Sequence, residues 1–182
     1  MHTDFTVRCA EHGDTAAMQD LIAVSSIELS VSFYTPLQAQ AMQQHVFGVD
    51  TQLLTDRTYF IVEERGQMLA CGGWSKRKTL FGGDQAKHGE DSLLDPATEA
   101  ARIRAFFVAP TAARRGLGRM LLAHCTEQAL AAGFTALELV ATMPGVPLYL
   151  ACGFAPVEDI ILHLPGGVDA PVCRMRKQIN GA

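Results

Sequence analysis

The chain has 182 residues, 48% of them hydrophobic and 19% charged, which supports one packed domain and excludes a disordered tail. Fifteen Lys and Arg against nineteen Asp and Glu give a formal net charge of −4. That balance excludes a general nucleic-acid or anionic-membrane binder, because attraction to phosphates needs a basic surplus. Cys9, Cys71, Cys125, Cys152 and Cys173 show no Cys-x-x-Cys spacing, and no two histidines stand at metal-ligand spacing. Five reduced thiols in a cytoplasmic protein without a metal site are expected. The first residues lack a charged segment followed by an apolar one, so no secretion signal is read. Leu139 to Val157 is 19 residues without a charge, but three prolines and two glycines interrupt it and argue against a membrane span.

Phe5 to Cys9 alternates and reads as a strand. Asp14 then caps a helix whose apolar face is Ala17, Met18, Leu21, Ile22 and Ser25. Thr35-Pro36-Leu37-Gln38 carries a capping box with proline at the first helical position, so a second helix opens there. Thr58–Glu64 and Met68–Ser75 form a hairpin across Arg65-Gly66-Gln67. Residues 76–100 read as loop, and Arg102–Val108 as a strand ended by Pro110. A helix from about Arg115 to Ala132 stops at Gly133. The nearly continuous apolar run Thr135–Thr142 predicts a central buried strand. A short helix over Pro147–Cys152 ends at Gly153, and strands near Val157–Leu164 and Pro171–Lys177 close the chain. The order β-αα-βββ-α-β-α-ββ describes a single mixed α/β domain.

Charge is unevenly placed. Asp84 to Glu99 holds five acids against Lys87, whereas Arg102 to Arg119 holds five arginines and no acid. An acidic chain that concentrates arginine in this way has a local anion to hold, unless the arginines form a solvated helix face. Arg114-Arg115-Gly116-Leu117-Gly118-Arg119 lies where a strand passes into a helix, so free backbone N–H groups and the helix dipole offer an anion site there. Two glycines admit a phosphate to the main chain. A Walker A loop is excluded because no Gly-Lys dipeptide occurs, and a dinucleotide fingerprint fails because its third glycine position is Leu121.

Phe106-Phe107-Val108-Ala109-Pro110 leading into Arg114–Leu122, with Leu148-Tyr149-Leu150-Ala151-Cys152-Gly153-Phe154 about thirty residues later, resembles the GNAT superfamily of acetyl-CoA-dependent N-acyltransferases. The order of elements resembles that family's along nearly the whole chain. Gly72-Gly73-Trp74-Ser75 and Thr79–Asp84 also resemble a bacterial subgroup of it, for which no particular acceptor is implied. Two positions depart from the family pattern. Ala113 stands where relatives carry Gln or Arg, and Thr142 where Asn is frequent.

The resemblance implies a twisted, mostly antiparallel sheet of about seven strands with four or so helices. It implies that acetyl-CoA enters between splayed strands, pairs with Phe106, Phe107 and Val108, and rests its pyrophosphate on Arg114, Arg115, Gly116, Leu117, Gly118 and Arg119, with Thr142 beside the cofactor arm. A backbone N–H there would stabilise the oxyanion. Tyr149 is the candidate acid for the leaving thiolate, against a packing role. The base is unassigned among Asp84, Glu90, Asp91 and Glu99, with Asp84 the first to test, against the reading of a solvated loop acid. Cys71, Cys125 and Cys152 read as core residues rather than acyl carriers. Trp74 and Tyr34 belong to the core or to an acceptor wall. The implied activity is transfer of acetyl to a primary amine of a small molecule or protein by direct attack, with a homodimer open. The alternative is a non-catalytic acyl-CoA-binding module. The acidic block predicts a cationic acceptor.

Overall fold

In the computed structural model, which describes residues 5–179, seven strands make one sheet. They are β1 (Phe5–Cys9), β2 (Tyr59–Glu64), β3 (Gln67–Ser75), β4 (Ala101–Val108), β5 (Ala136–Thr142), β6 (Ala155–Leu164) and β7 (Val168–Gln178). Their spatial order is β1-β2-β3-β4-β5-β7-β6, and every neighbouring pair is antiparallel except β4 and β5. The helices are α1 (Thr15–Glu28), α2 (Pro36–His45), α3 (Thr51–Thr55), α4 (Leu117–Ala131) and α5 (Val146–Ala151). The expected sheet and element order are present, with α3 as an additional element.

Alternation along β2 sorts the cores. Phe60 and Val62 join the core with Leu117, Leu121, Leu122 and Cys125 of α4 and Tyr149 of α5. Tyr59 and Ile61 join the core with Met18 and Ile22 of α1 and Leu53 and Leu54 of α3. Successive strand residues point to opposite faces, so α4 and α5 cover one face of the sheet and α1 and α3 the other. Helix α2 extends that second layer, packing Ala39 and Met42 on Ala170 and Val172 of β7. Full burial of such side chains is worth about 1.5–3 kcal/mol each.

Several boundaries differ from expectation for local reasons. Asp14 occupies the position before α1 without capping it, because its carboxylate takes the Arg8 guanidinium at 2.8 Å and the Glu11 N–H at 2.8 Å. Within α1, Met18, Ile22, Ser25 and Ser26 are buried, whereas Ala17 is exposed. Helix α2 has the anticipated capping box, with Gln38 N–H donating to Thr35 Oγ1 at 3.2 Å and Pro36 in the first turn. Helix α4 begins at Leu117 rather than Arg115, because Arg114 (φ 67°) and Gly116 (φ 86°) are left-handed and cannot continue a helix. Strand β7 begins at Val168 rather than Pro171, since the turn through Gly166 and Gly167 lets pairing start at Leu164–Val168. The uncharged Leu139–Val157 stretch divides among β5, α5 and β6, and among the described residues no helix is long and apolar enough to cross a membrane.

Candidate functional site

Strands β4 and β5 pair only at Ala101–Leu137 and Arg102–Glu138. Beyond Arg102 the remainder of β4, Ile103 to Val108, makes no ladder with β5, so backbone groups along that edge lack a strand partner. Ala105 adds a kink. Its φ of 55° is left-handed, and the β3–β4 register shifts between Cys71 and Gly73. A non-glycine residue in this region costs about 1–3 kcal/mol, and such strain concentrates at functional sites.

The gap opens into a cleft of about 740 Å³ that passes from the α4 face to the α1–α2 face. Its α4 side is lined by Phe106, Val108, Arg114, Gly116, Leu117, Gly118, Arg119 and Tyr149. Phe107 and Thr142 also line it, so the cleft gathers nearly all the residues expected to meet the cofactor. Phe106 can lie flat there because Gly72 has no side chain, since a Cβ at that position would stand 2.4 Å from the ring. Tyr149 packs between Phe106 and Phe154, with ring centroids 6.4 and 5.6 Å away. Burial raises the Tyr149 phenol above its ordinary value near 10, so it stays protonated throughout the neutral range.

The two loop glycines have different duties. Gly116 supplies a left-handed turn at the start of α4, and a Cβ built there meets nothing within 4 Å. The open space lies where α4's first N–H groups lack intrahelical acceptors. Gly118 instead lets α4 approach α5, because its Cβ would stand 2.8 Å from Leu148 Cδ2. Arg114 and Arg119 line the cleft, whereas the Arg115 side chain is committed elsewhere. It forms a two-point ion pair with Glu64 at 2.8 and 3.1 Å and lies 4.8 Å above the Phe5 ring.

Asp84 is not among the residues that line the cleft. It is exposed, and its Oδ1 accepts the Thr51 N–H at 3.0 Å, at the start of α3. Much of the acidic block folds back in the same manner. Asp91 accepts from Thr79 N–H at 2.8 Å, Asp95 from Ala97 N–H at 3.0 Å and Glu99 from Asp95 N–H at 2.8 Å. Trp74 lies in the core against Phe134, and the Tyr34 hydroxyl donates to the Pro171 carbonyl at 2.6 Å. Burial raises the Cys71 thiol to about 12 and pushes Cys125 up as well, which leaves both without thiolate at neutral pH. All five cysteines are free, and no metal-binding cluster occurs among the described residues.

Sequence reasoning missed Arg104. Its guanidinium is buried in the cleft wall, pairs with Asp50 at 2.9 Å and donates to the carbonyls of Thr79 and Gly82. Two arginines, Arg102 and Arg104, in a strand otherwise apolar were the available signal, because such charges require partners.

The sequence profile described as the Acetyltransferase (GNAT) family matches residues 25–154. The chain belongs to the GNAT acetyltransferase family. This GNAT domain has the same fold as a GCN5-related N-acetyltransferase from Rhodopseudomonas palustris (TM-score 0.71, 15% identity, 96% of this chain and 95% of that one). The fold is also that of YncA from Salmonella typhimurium with its cofactor acetyl-CoA (TM-score 0.62, 14% identity, coverage 98% and 96%). PaiA N-acetyltransferase from Thermoplasma acidophilum in complex with coenzyme A gives a TM-score of 0.63 at 11% identity, with coverage of 96% and 99%. No curated protein is significantly similar to this GNAT domain in sequence.

Proposed function

We propose that the cleft binds acetyl-CoA and that the protein transfers its acetyl group to an amine by direct attack in a ternary complex. The observation that carries this reading is the unpaired edge of β4, opening into a cleft that ends at the α4 N-terminus. The residues present fit the co-substrate. The open space at Gly116, the free N–H groups of the first α4 turn and the guanidinium groups of Arg114 and Arg119 suit a pyrophosphate. The edge from Phe106 to Val108 suits the amide-bearing pantetheine arm, and Thr142 lines the opposite wall. The solved relatives with acetyl-CoA or coenzyme A support the same assignment.

Acetyl-CoA supplies an activated thioester. A free N–H on the kinked stretch of β4 polarises the carbonyl, a contribution typically worth a few kcal/mol. Tyr149 donates a hydrogen bond to the departing sulfur. Full proton transfer is uphill, because a phenol already lies about 1.5 units above a thiol and burial raises it further. Buried, protonated Cys71 and Cys125 favour direct transfer over an acyl-enzyme.

The test is release of free thiol from acetyl-CoA across a panel of amines, with the N-acetyl product identified by mass. Amine-dependent release supports the reading. Binding of acetyl-CoA without release from any amine would leave an acyl-CoA-binding module.

A further inference from the structure

If the α4 side of the cleft holds acetyl-CoA, as proposed above, the space on the α1–α2 side is left for the acceptor. That half is walled by Leu29, Phe33, Met42, Phe47, Phe81 and Leu162. Its hydroxyls come from Ser25, Ser26 and Ser30 of the α1 region, and two of them are already spent. Ser26 Oγ donates to Ala23 O at 3.0 Å, and Ser30 Oγ to Ser26 O at 2.6 Å.

Among the described residues no carboxylate and no histidine lines the cleft at all. Its charged groups are Arg104 on this side and Arg114 and Arg119 on the other, and its remaining titratable group is Tyr149. Helix α2, the loop that presents Leu80 and Phe81, and strands β5, β6 and β7 contribute no charge to the lining. Arg104 is occupied by Asp50 and by two loop carbonyls, so it neither calls for an anion nor welcomes a cation. Asp50 itself is taken by Arg104, by Lys87 and by the Gln52 N–H.

Such a lining sets the form in which the amine must arrive. An alkylamine with a pKa near 10.4 is neutral in only about one molecule in 10³ at pH 7. An ammonium ion would lose water in this cleft and find no counter-charge and no group to take its proton. We infer that the acceptor is an amine on an apolar body that is already neutral at pH 7, an arylamine in chemical class, rather than a polyamine or a lysine side chain. The neutral nitrogen bonds to the acetyl carbon, the carbon–sulfur bond breaks, and one nitrogen proton ends on the sulfur. Amine plus thioester gives amide plus thiol, with no other reactant required.

The experiment measures thiol release with 4-butylaniline, hexylamine, spermidine and a lysine-containing peptide at pH 7 and pH 9. The aniline should have the highest kcat/KM at pH 7 and change less than about twofold by pH 9. The hexylamine rate should climb by about tenfold per pH unit as its neutral fraction grows. Phe33→Asp puts a carboxylate at the half-exposed edge of this lining, and the acetyl-CoA-induced rise in Tm serves as its check of folding. It should raise KM for the aniline by about tenfold and lower KM for hexylamine. Spermidine or the peptide outrunning the aniline at pH 7 overturns this acceptor class and leaves acetyl transfer standing. An unchanged KM for both amines in a folded Phe33→Asp variant overturns the placement of the acceptor. Silence from every amine overturns the acetyl-transfer reading and the acceptor class together.

Discussion

Arg104 and Asp50 meet at 2.9 Å with each side chain only 1% exposed. The pair joins the cleft strand β4 to the start of α3, where Asp50 also accepts the Gln52 N–H at 3.0 Å. Through Thr79 O and Gly82 O it fixes the loop that brings Leu80 and Phe81 to the cleft. Burial lowers the Arg104 pKa and attraction to Asp50 opposes that, so the guanidinium remains charged. Asp50→Ala strands that charge and should cost about 3–5 kcal/mol. Arg104→Met should cost less, because Asp50 keeps Lys87 and the Gln52 N–H. Urea unfolding of the two variants checks the order, and the reverse order would mean that the arginine is not the dependent partner.

Gly118 and Leu148 make a second close relationship, separable from ligand binding. Gly118→Val should lower stability by about 1–3 kcal/mol through overpacking. The double variant Gly118→Val/Leu148→Ala should recover part of that loss. Gly116→Val should instead weaken acetyl-CoA binding, because its side chain enters open space in a strained backbone. Thermal shift with and without acetyl-CoA separates the two effects, and a Gly116 variant that binds normally would remove the phosphate from this loop.

Tyr149→Phe removes a hydroxyl and keeps the ring between Phe106 and Phe154. Turnover should fall about 10²–10³-fold, as for loss of one preorganised hydrogen-bond donor, with KM for acetyl-CoA little changed. A donor must be protonated, and a pKa raised by burial moves its loss to higher pH. The wild-type rate should therefore show no descending limb from this group up to about pH 10. An unaltered rate in the Phe variant would return Tyr149 to packing.

Asp84→Asn retains an oxygen to accept the Thr51 N–H. Its kcat/KM should stay within about twofold of wild type, whereas Asp84→Ala should lose about 1 kcal/mol of stability by removing the acceptor. A tenfold or greater loss of turnover in a folded Asn variant would restore the acid to the chemistry.

Legibility in the sequence followed the range of the interactions. The apolar run now assigned to β5 announced a central strand, and it lies between β4 and β7. Thr35 and Gln38 announced a helix start through bonds spanning three residues. The five-residue α3, capped by Asp50 in the structure, was too short for periodicity to reveal. Asp84 to Glu99 looked like a charged patch because composition cannot tell a free carboxylate from one that accepts a nearby N–H. Asp91 and Thr79 meet across twelve residues, and Arg104 and Asp50 across fifty-four, distances at which only the folded chain decides. The phosphate loop was legible as a unit, yet only the folded chain separates a conformational duty at Gly116 from a packing one at Gly118.

The central claim is that the open edge of β4 and the start of α4 hold acetyl-CoA, and amide hydrogen exchange tests it at residue level. Adding acetyl-CoA should slow exchange at Phe106 to Val108 and at Arg114 to Arg119, while the amides of β1 and β6 stay unchanged. Protection that appears elsewhere, or no protection at saturating acetyl-CoA, would contradict the account.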